Sequence, residues 1–208
     1  MWAAGQFLAA TRKFGKWRPI GVDLSPQALA IAREVFQLQT FVGRLEDVGF
    51  PDHTFDAVTM WDTLEHLHDP RRTLLETHRI LKSEGHLLLR GPAFNSLDAR
   101  LFGPFWVGLD SPRHLIVFSQ ETLERLLTDT GFSIERLWCL SGSHASFVLS
   151  LRFLLESQNQ AAGLKHWLVR FMVSFPGRAL SAPYFFLVDK LRLGPEITIL
   201  ARKRIEHD

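Results

Sequence analysis

Cysteine is almost absent from this 208-residue chain, which holds Cys139 and no other. One thiol cannot close an internal disulfide, and no pair of cysteines marks a zinc site, so a reducing compartment, the cytoplasm, is expected. Net charge is also scarce: +2 with histidine neutral is too mild to argue for nucleic acid as a partner. No stretch reaches the roughly 20 apolar residues that span a bilayer. Arg152, Glu156, Lys165, Arg170 and Arg178 interrupt the most apolar region. Met1-Trp2-Ala3-Ala4-Gly5 lacks the basic start and apolar core of a signal peptide, so no export is expected. Segments of low complexity are missing as well, and a content of 46% hydrophobic and 22% charged residues excludes disorder and fibrous repeats. What remains is a globular chain with material for one well-buried core.

Short β-rich runs alternate with helical patterns over the first two-thirds, the signature of βαβ units around a mostly parallel sheet. Strands are expected at Pro19–Asp23, Thr40–Gly43, Phe55–Met60 and Gly85–Arg90. Ser25 and Pro26 open a helix running to about Gln37. Asp69-Pro70 opens another, whose Leu74, Leu75, Ile80 and Leu81 are expected to face the sheet. Ser119 caps a third, stopped by Gly131. A strand over Ser133–Leu137 follows, and Glu196–Arg202 alternates like a half-exposed strand, expected to run antiparallel and close the sheet.

Charge divides the chain. Residues 1–144 carry 15 Lys and Arg against 17 Asp and Glu, whereas residues 145–208 carry 9 against 5. In that basic tail Leu164, Trp167, Leu168, Phe171, Met172 and Phe175 recur at helical spacing while Lys165, His166 and Arg170 point elsewhere, up to a stop at Pro176-Gly177. A second apolar segment starts at Tyr184-Phe185-Phe186-Leu187-Val188. The expected organisation is therefore a core over 1–144, an amphipathic helical insertion over 145–193, and a closing strand and tail over 194–208. A cationic amphipathic insertion has two readings: a lid packed over the acceptor site, or a surface on 147–192 that docks peripherally on the inner face of a membrane or on a partner protein.

Asp23 ends a parallel strand, where a carboxylate can accept both hydroxyl hydrogens of a ribose. The alternative is that it caps the following helix with Ser25. Glu65-His66 lies where the chain leaves the carboxyl end of a central strand, the usual place for ligands in open α/β sheets. His66 and His114 are candidate bases for an acceptor's proton, or hydrogen-bonded structural histidines. Trp106 and Arg113 lie in the long connection from Leu97 to His114, where an Arg beside a His can hold an anionic or polyhydroxylated acceptor; anchoring of that loop by its aromatics is the competing reading. Glu65, His66, His68 and Asp69 do not match a zinc-helix spacing, so no metal is expected.

Gly21-Val22-Asp23-Leu24-Ser25-Pro26, Leu45-Glu46, Phe50–Val58, Leu64-Glu65-His66-Leu67, Leu81–Gly85 and His114–Ser119, in this order, resemble the class I S-adenosylmethionine-dependent methyltransferases. The resemblance runs from about Gly5 to Leu137 and resumes over the closing strand. It implies a Rossmann-like three-layer α/β sandwich with an antiparallel last strand, and S-adenosyl-L-methionine as cofactor. It also implies that Asp23 binds the ribose hydroxyls, Leu24 lies against the adenine, and Leu45 and Glu46 meet the adenine edge. Trp61 and Asp62 match the segment beside the methionine portion, although a tryptophan here is also ordinary core packing. Gly5 resembles the end of the family's glycine-rich loop. The strand and glycines that precede it in the family are missing, and an N-terminally truncated form of a working enzyme is the expectation. Deleting a strand from a sheet with a spacing of about 4.8 Å opens a gap or forces its neighbours to pair. The implied activity is methyl transfer to a small-molecule or lipid-linked acceptor, against a non-catalytic module that keeps only the fold. A nicotinamide dehydrogenase shares the ribose-binding acid but not the motif order.

Overall fold

The computed structural model describes residues 5–139, 143–158 and 162–204; the side chains of 162–164 and 166 are outside that description. The signal-peptide expectation at Met1–Ala4, and the placing of Leu164 and His166 on helix faces, therefore lie outside the described residues. The chain divides into two compact units, Met1–Pro51 and Asp52–Asp208. The boundaries expected at 144 and 193 fall inside the second unit, where they bracket a set of three helices.

In the first unit, helix α1 (Gln6–Thr11) precedes strand β1 (Ile20–Asp23), helix α2 (Pro26–Phe36), strand β2 (Gln39–Val42) and the single turn α3 (Leu45–Val48). β1 and β2 pair in parallel, Ile20 opposite Gln39 through Asp23 opposite Val42. The helix between them is built as its sequence dictates: Ser25 Oγ accepts from the Ala28 amide, Pro26 stands in the first turn, and Leu29 and Ala32 are buried.

The second unit starts with β3 (Phe55–Trp61), continues through α4 (Pro70–Ile80), β4 (Leu81–Pro92), α5 (Leu97–Phe102), α6 (Gln120–Asp129) and β5 (Phe132–Trp138), and adds α7 (Ser143–Ser157), α8 (Ala162–Val173) and α9 (Phe175–Lys190) before β6 (Glu196–Lys203). Its sheet has the order β3-β4-β6-β5. β3 and β4 are parallel, and β6 alone is reversed, pairing antiparallel with both β4 and β5. This is the mostly parallel α/β pattern with an antiparallel last strand.

Three expectations change. β6 pairs antiparallel with both neighbours as expected but is not half-exposed, with Ile197, Thr198, Ile199, Ala201 and Lys203 buried, because the α7–α9 segment lets the chain return between β4 and β5. Leu81 belongs to β4, which begins directly where α4 ends, and Leu74 is buried while Leu75, about 100° further round the helix, is 46% exposed. Pro176 does not end a helix: Ser174 caps α9 and Pro176 occupies its first turn, where a missing N–H costs nothing.

Candidate active site

The strongest concentration of reactive side chains lies in the second unit, at the carboxyl end of β3. After Trp61 the chain turns at Asp62, held at φ 48°, and forms a short 3-10 turn over Leu64–His66. This turn is tied to a distant loop, since the Glu65 carbonyl accepts from the amides of Leu115 (2.8 Å) and Ile116 (3.2 Å). Glu65 and His66 are thereby brought beside His114, 48 residues further on. The two imidazoles meet edge to face with centroids 4.8 Å apart.

Each ring is oriented by a carbonyl. His66 Nδ1 lies 2.9 Å from the Arg113 oxygen, and His114 Nδ1 lies 2.8 Å from the Gly108 oxygen. A carbonyl only accepts, so Nδ1 carries a hydrogen in both rings, and in the neutral imidazole it is Nε2 that presents the lone pair. His114 Nε2 is 4.0 Å from Glu65 Oε1. Glu65 is 1% exposed, and that Oε1 has no hydrogen-bond partner. Burial pushes the Glu65 carboxyl up to about 7, helped by the negative charge of Asp62 and opposed by its backbone hydrogen bond.

The loop carrying His114 is anchored from below. Trp106 is 2% exposed, and a Cβ on Gly108 would fall 2.2 Å from its ring, so only glycine lets the backbone lie on the indole. The Val107 amide donates to Ser150 Oγ (3.0 Å) on α7, so the helical segment fixes the turn whose carbonyl orients His114. Trp106, expected at the substrate, is thus a buried anchor of this loop. The Arg113 side chain, 75% exposed and paired with Asp110 at 2.8 Å, stands in solvent at the loop's tip, while its carbonyl holds His66. Asp62 grips Arg90 through two bonds of 2.6 and 3.2 Å, and Arg90 also reaches Glu196 (3.4 Å) and the face of Trp61. His68 and Asp69 do not join the cluster; Asp69 caps α4 through the Arg72 amide. Sequence reasoning named all three cluster residues but missed Gly108 and Ser150, which carry no chemical signature and act through the backbone.

In the first unit, Asp23 Oδ1 accepts from the Ser25 amide (2.7 Å) while Ser25 itself caps α2. The helix cap therefore does not need Asp23. Leu24, beside it at the carboxyl end of β1, is 65% exposed, an apolar side chain held in water where a flat apolar ring would cover it. These two features fit the ribose and adenine of S-adenosyl-L-methionine. Leu45 and Glu46 open α3, both partly buried. Gly5 has φ 84°, and a Cβ there would meet Leu38 at 2.7 Å, so this position accepts glycine alone.

A sequence profile of the family described as Methyltransferase domain matches residues 3–137. A 2-methyl-6-phytyl-1,4-hydroquinone methyltransferase of Oryza sativa is 32% identical over 90 residues, covering 41% of this chain and 27% of that protein. A ubiquinone/menaquinone biosynthesis C-methyltransferase of Citrifermentans bemidjiense is 24% identical over 152 residues, covering 61% and 65%. The chain thus spans between about a quarter and two thirds of these relatives. Among solved structures, geranyl diphosphate C-methyltransferase of Streptomyces coelicolor superposes with a TM-score of 0.61 at 14% identity, covering 98% of this chain and 68% of that one, a likeness of fold. With the family pattern running over residues 3–137 of 208, the chain belongs to the class I S-adenosylmethionine-dependent methyltransferases.

Proposed function

We propose that this protein transfers the methyl group of S-adenosyl-L-methionine to a small hydroxyl-bearing acceptor with an apolar tail. The observation that carries the reading is the Glu65–His66–His114 cluster, with both Nε2 lone pairs fixed by carbonyls at the carboxyl end of β3. The cofactor supplies an electrophilic methyl on a sulfonium, so the protein's task is to position the acceptor and to take its proton. An ionised phenol is a nucleophile at its oxygen and at the ring carbons ortho to it, which suits a ring acceptor of the kind named for the hydroquinone and quinone relatives. Asp23 and Leu24 serve the cofactor's nucleoside. Calorimetric titration with S-adenosyl-L-methionine tests this: the wild type binds, and Asp23→Asn weakens binding about tenfold or more through loss of charge-assisted hydrogen bonds. An unaltered affinity in Asp23→Asn overturns the assignment of that residue, and absence of both binding and methyl transfer overturns the enzyme reading.

The apolar tail and a peripheral membrane contact are supported by the surface of α8 and α9. Trp167 (60%), Phe175 (84%), Leu180 (76%) and Phe186 (69%) are exposed alongside Arg170 and Arg178. No single helix among the described residues is long and apolar enough to cross a membrane, and α8 and α9 meet at a bend of 72°. Apolar groups among cationic ones suit the boundary between headgroups and acyl chains. Sedimentation with vesicles containing anionic lipid is expected to pellet the wild type and leave more of Trp167→Asp in solution. Equal pelleting counts against membrane docking through this face.

A further inference from the structure

We propose that Glu65, His66 and His114 form a binding site for one divalent transition-metal ion, Zn2+ or a similar borderline cation. The inference rests on the reading of this cluster as the acceptor side of the site, and replaces the free imidazole by a bound ion as the group that ionises the acceptor. Three features of the geometry point the same way. One donor atom from each of the three residues lies within 4.8 Å of the other two. Metal bonds of about 2.0–2.2 Å hold neighbouring donors roughly 3 Å apart, so seating an ion closes the 4.0 Å gap between Glu65 Oε1 and His114 Nε2 and draws in exposed His66, whose ring pivots about its Nδ1 bond to the Arg113 carbonyl. Both histidines already have the support that ligating imidazoles need, an Nδ1–H donated to a carbonyl that fixes the tautomer and aims Nε2.

The third feature is Glu65 itself. A buried carboxylate oxygen without a hydrogen-bond partner is uncommon, and such a group calls for an explanation. Arg90, the cation nearest in sequence to the adjoining strand end, is already held by Asp62 and Glu196. A cation seated between Glu65 Oε1 and His114 Nε2, 4.0 Å apart, supplies the missing partner. Two nitrogens and one carboxylate oxygen favour Zn2+, Fe2+, Mn2+ or Co2+ over Mg2+ and Ca2+, which prefer oxygen alone. Three protein donors leave coordination positions open on the side where His66 meets solvent. There an acceptor hydroxyl would bind the ion and lose its proton to water, and the resulting oxyanion would receive the methyl directly or direct it to a ring carbon, whose hydrogen then leaves as a proton to water to restore the ring. The sulfur keeps the bonding pair and leaves as a neutral thioether.

The experiment reads binding without turnover. Full-length protein is stripped with a chelator and titrated with Co2+ alone, followed by visible absorption, with Zn2+ added as competitor. The expected result is one Co2+ per chain, displaced by Zn2+, with affinity at least about tenfold weaker in Glu65→Gln, His114→Gln and His66→Gln. His66 is exposed, so its variant keeps the fold even where a change at buried Glu65 does not. His86→Gln, at a surface imidazole 3.4 Å from Glu135, is expected to bind like the wild type. Failure to bind Co2+, undiminished binding in His66→Gln, or an equal loss in His86→Gln overturns the site. Methyl transfer by the stripped protein at the full rate overturns the metal and leaves the methyl-transfer reading standing. Binding with the expected pattern in a chain that transfers no methyl group supports the site and overturns that reading instead.

Discussion

His114→Gln is expected to lower methyl transfer by ~10²- to 10⁴-fold while leaving the affinity for S-adenosyl-L-methionine unchanged. Glutamine matches the imidazole in size and hydrogen-bonding reach, and its amide can still meet the Gly108 carbonyl that orients the ring. What it lacks is a basic lone pair at the Nε2 position. The loss follows whether Nε2 receives the acceptor's proton itself or holds an ion that ionises the acceptor, because both routes use that pair of electrons. A purely architectural His114 predicts something else: a lower unfolding temperature with turnover per folded molecule preserved. Steady-state kinetics on protein shown to be folded separates the two, with the deficit in kcat rather than in the KM of the cofactor. His66→Gln is expected to show a smaller deficit, since His66 is the exposed member of the pair. Kinetics equal to the wild type in His114→Gln would remove the cluster from the mechanism.

The parts of this site that were legible in the sequence are those fixed by local rules. Ser25 and Ser119 cap the helices that they precede, and Asp69 does so through its side chain, because a short polar side chain before an apolar periodic run has few other conformations. Asp23 and Glu65 stand out in the sequence because one ends a strand and the other follows one, where α/β sheets expose their ligand-facing ends. The meeting of Glu65 and His66 with His114 was not legible as a cluster. It depends on backbone bonds from Leu115 and Ile116 to the Glu65 carbonyl, and backbone groups leave no mark in a sequence. Spacing rules for side-chain clusters are local, and they looked at His68 and Asp69, whereas His114 lies 48 residues beyond His66. β6 was misjudged for a related reason. Its alternation suggested one wet face, but a strand inserted between two others is covered by what the chain places around it, and that depends on where α7–α9 let it re-enter. Trp106 shows the converse: an aromatic in a loop reads as a contact for substrate until the backbone of Gly108 is seen lying on its ring.

The second large effect concerns the joint between α5 and the helices α7–α9. Asp98 on α5 is 1% exposed, and burial raises its carboxyl from 3.8 to about 6, with the charge of Asp189 on α9 adding to the rise and the Ser146 hydroxyl on α7 opposing it. Asp189 in turn is held by the Ser143 hydroxyl, and burial and the Asp98 charge together raise the Tyr184 hydroxyl beside them. A carboxyl whose folded-state pKa lies above its unfolded value keeps its proton longer in the folded protein. As pH rises from about 4 to about 6 the unfolded chain releases that proton first, so stability falls across the window and levels off above it. A rise of about two pKa units corresponds to ~3 kcal/mol, an upper bound for what ionisation of Asp98 costs at neutral pH. Asp98→Asn removes the charge and keeps the shape. Its urea-unfolding free energy is expected to lose the downward slope between pH 4 and 6 and to exceed the wild type by about 1–3 kcal/mol at pH 7.5. Identical pH profiles for the two proteins would show that Asp98 ionises freely in the folded state. The consequence for function runs through α7, since Ser150 on that helix holds the Val107 amide and so the turn that orients His114. Removing the buried charge in Asp98→Asn is expected to place His114 with less freedom rather than more.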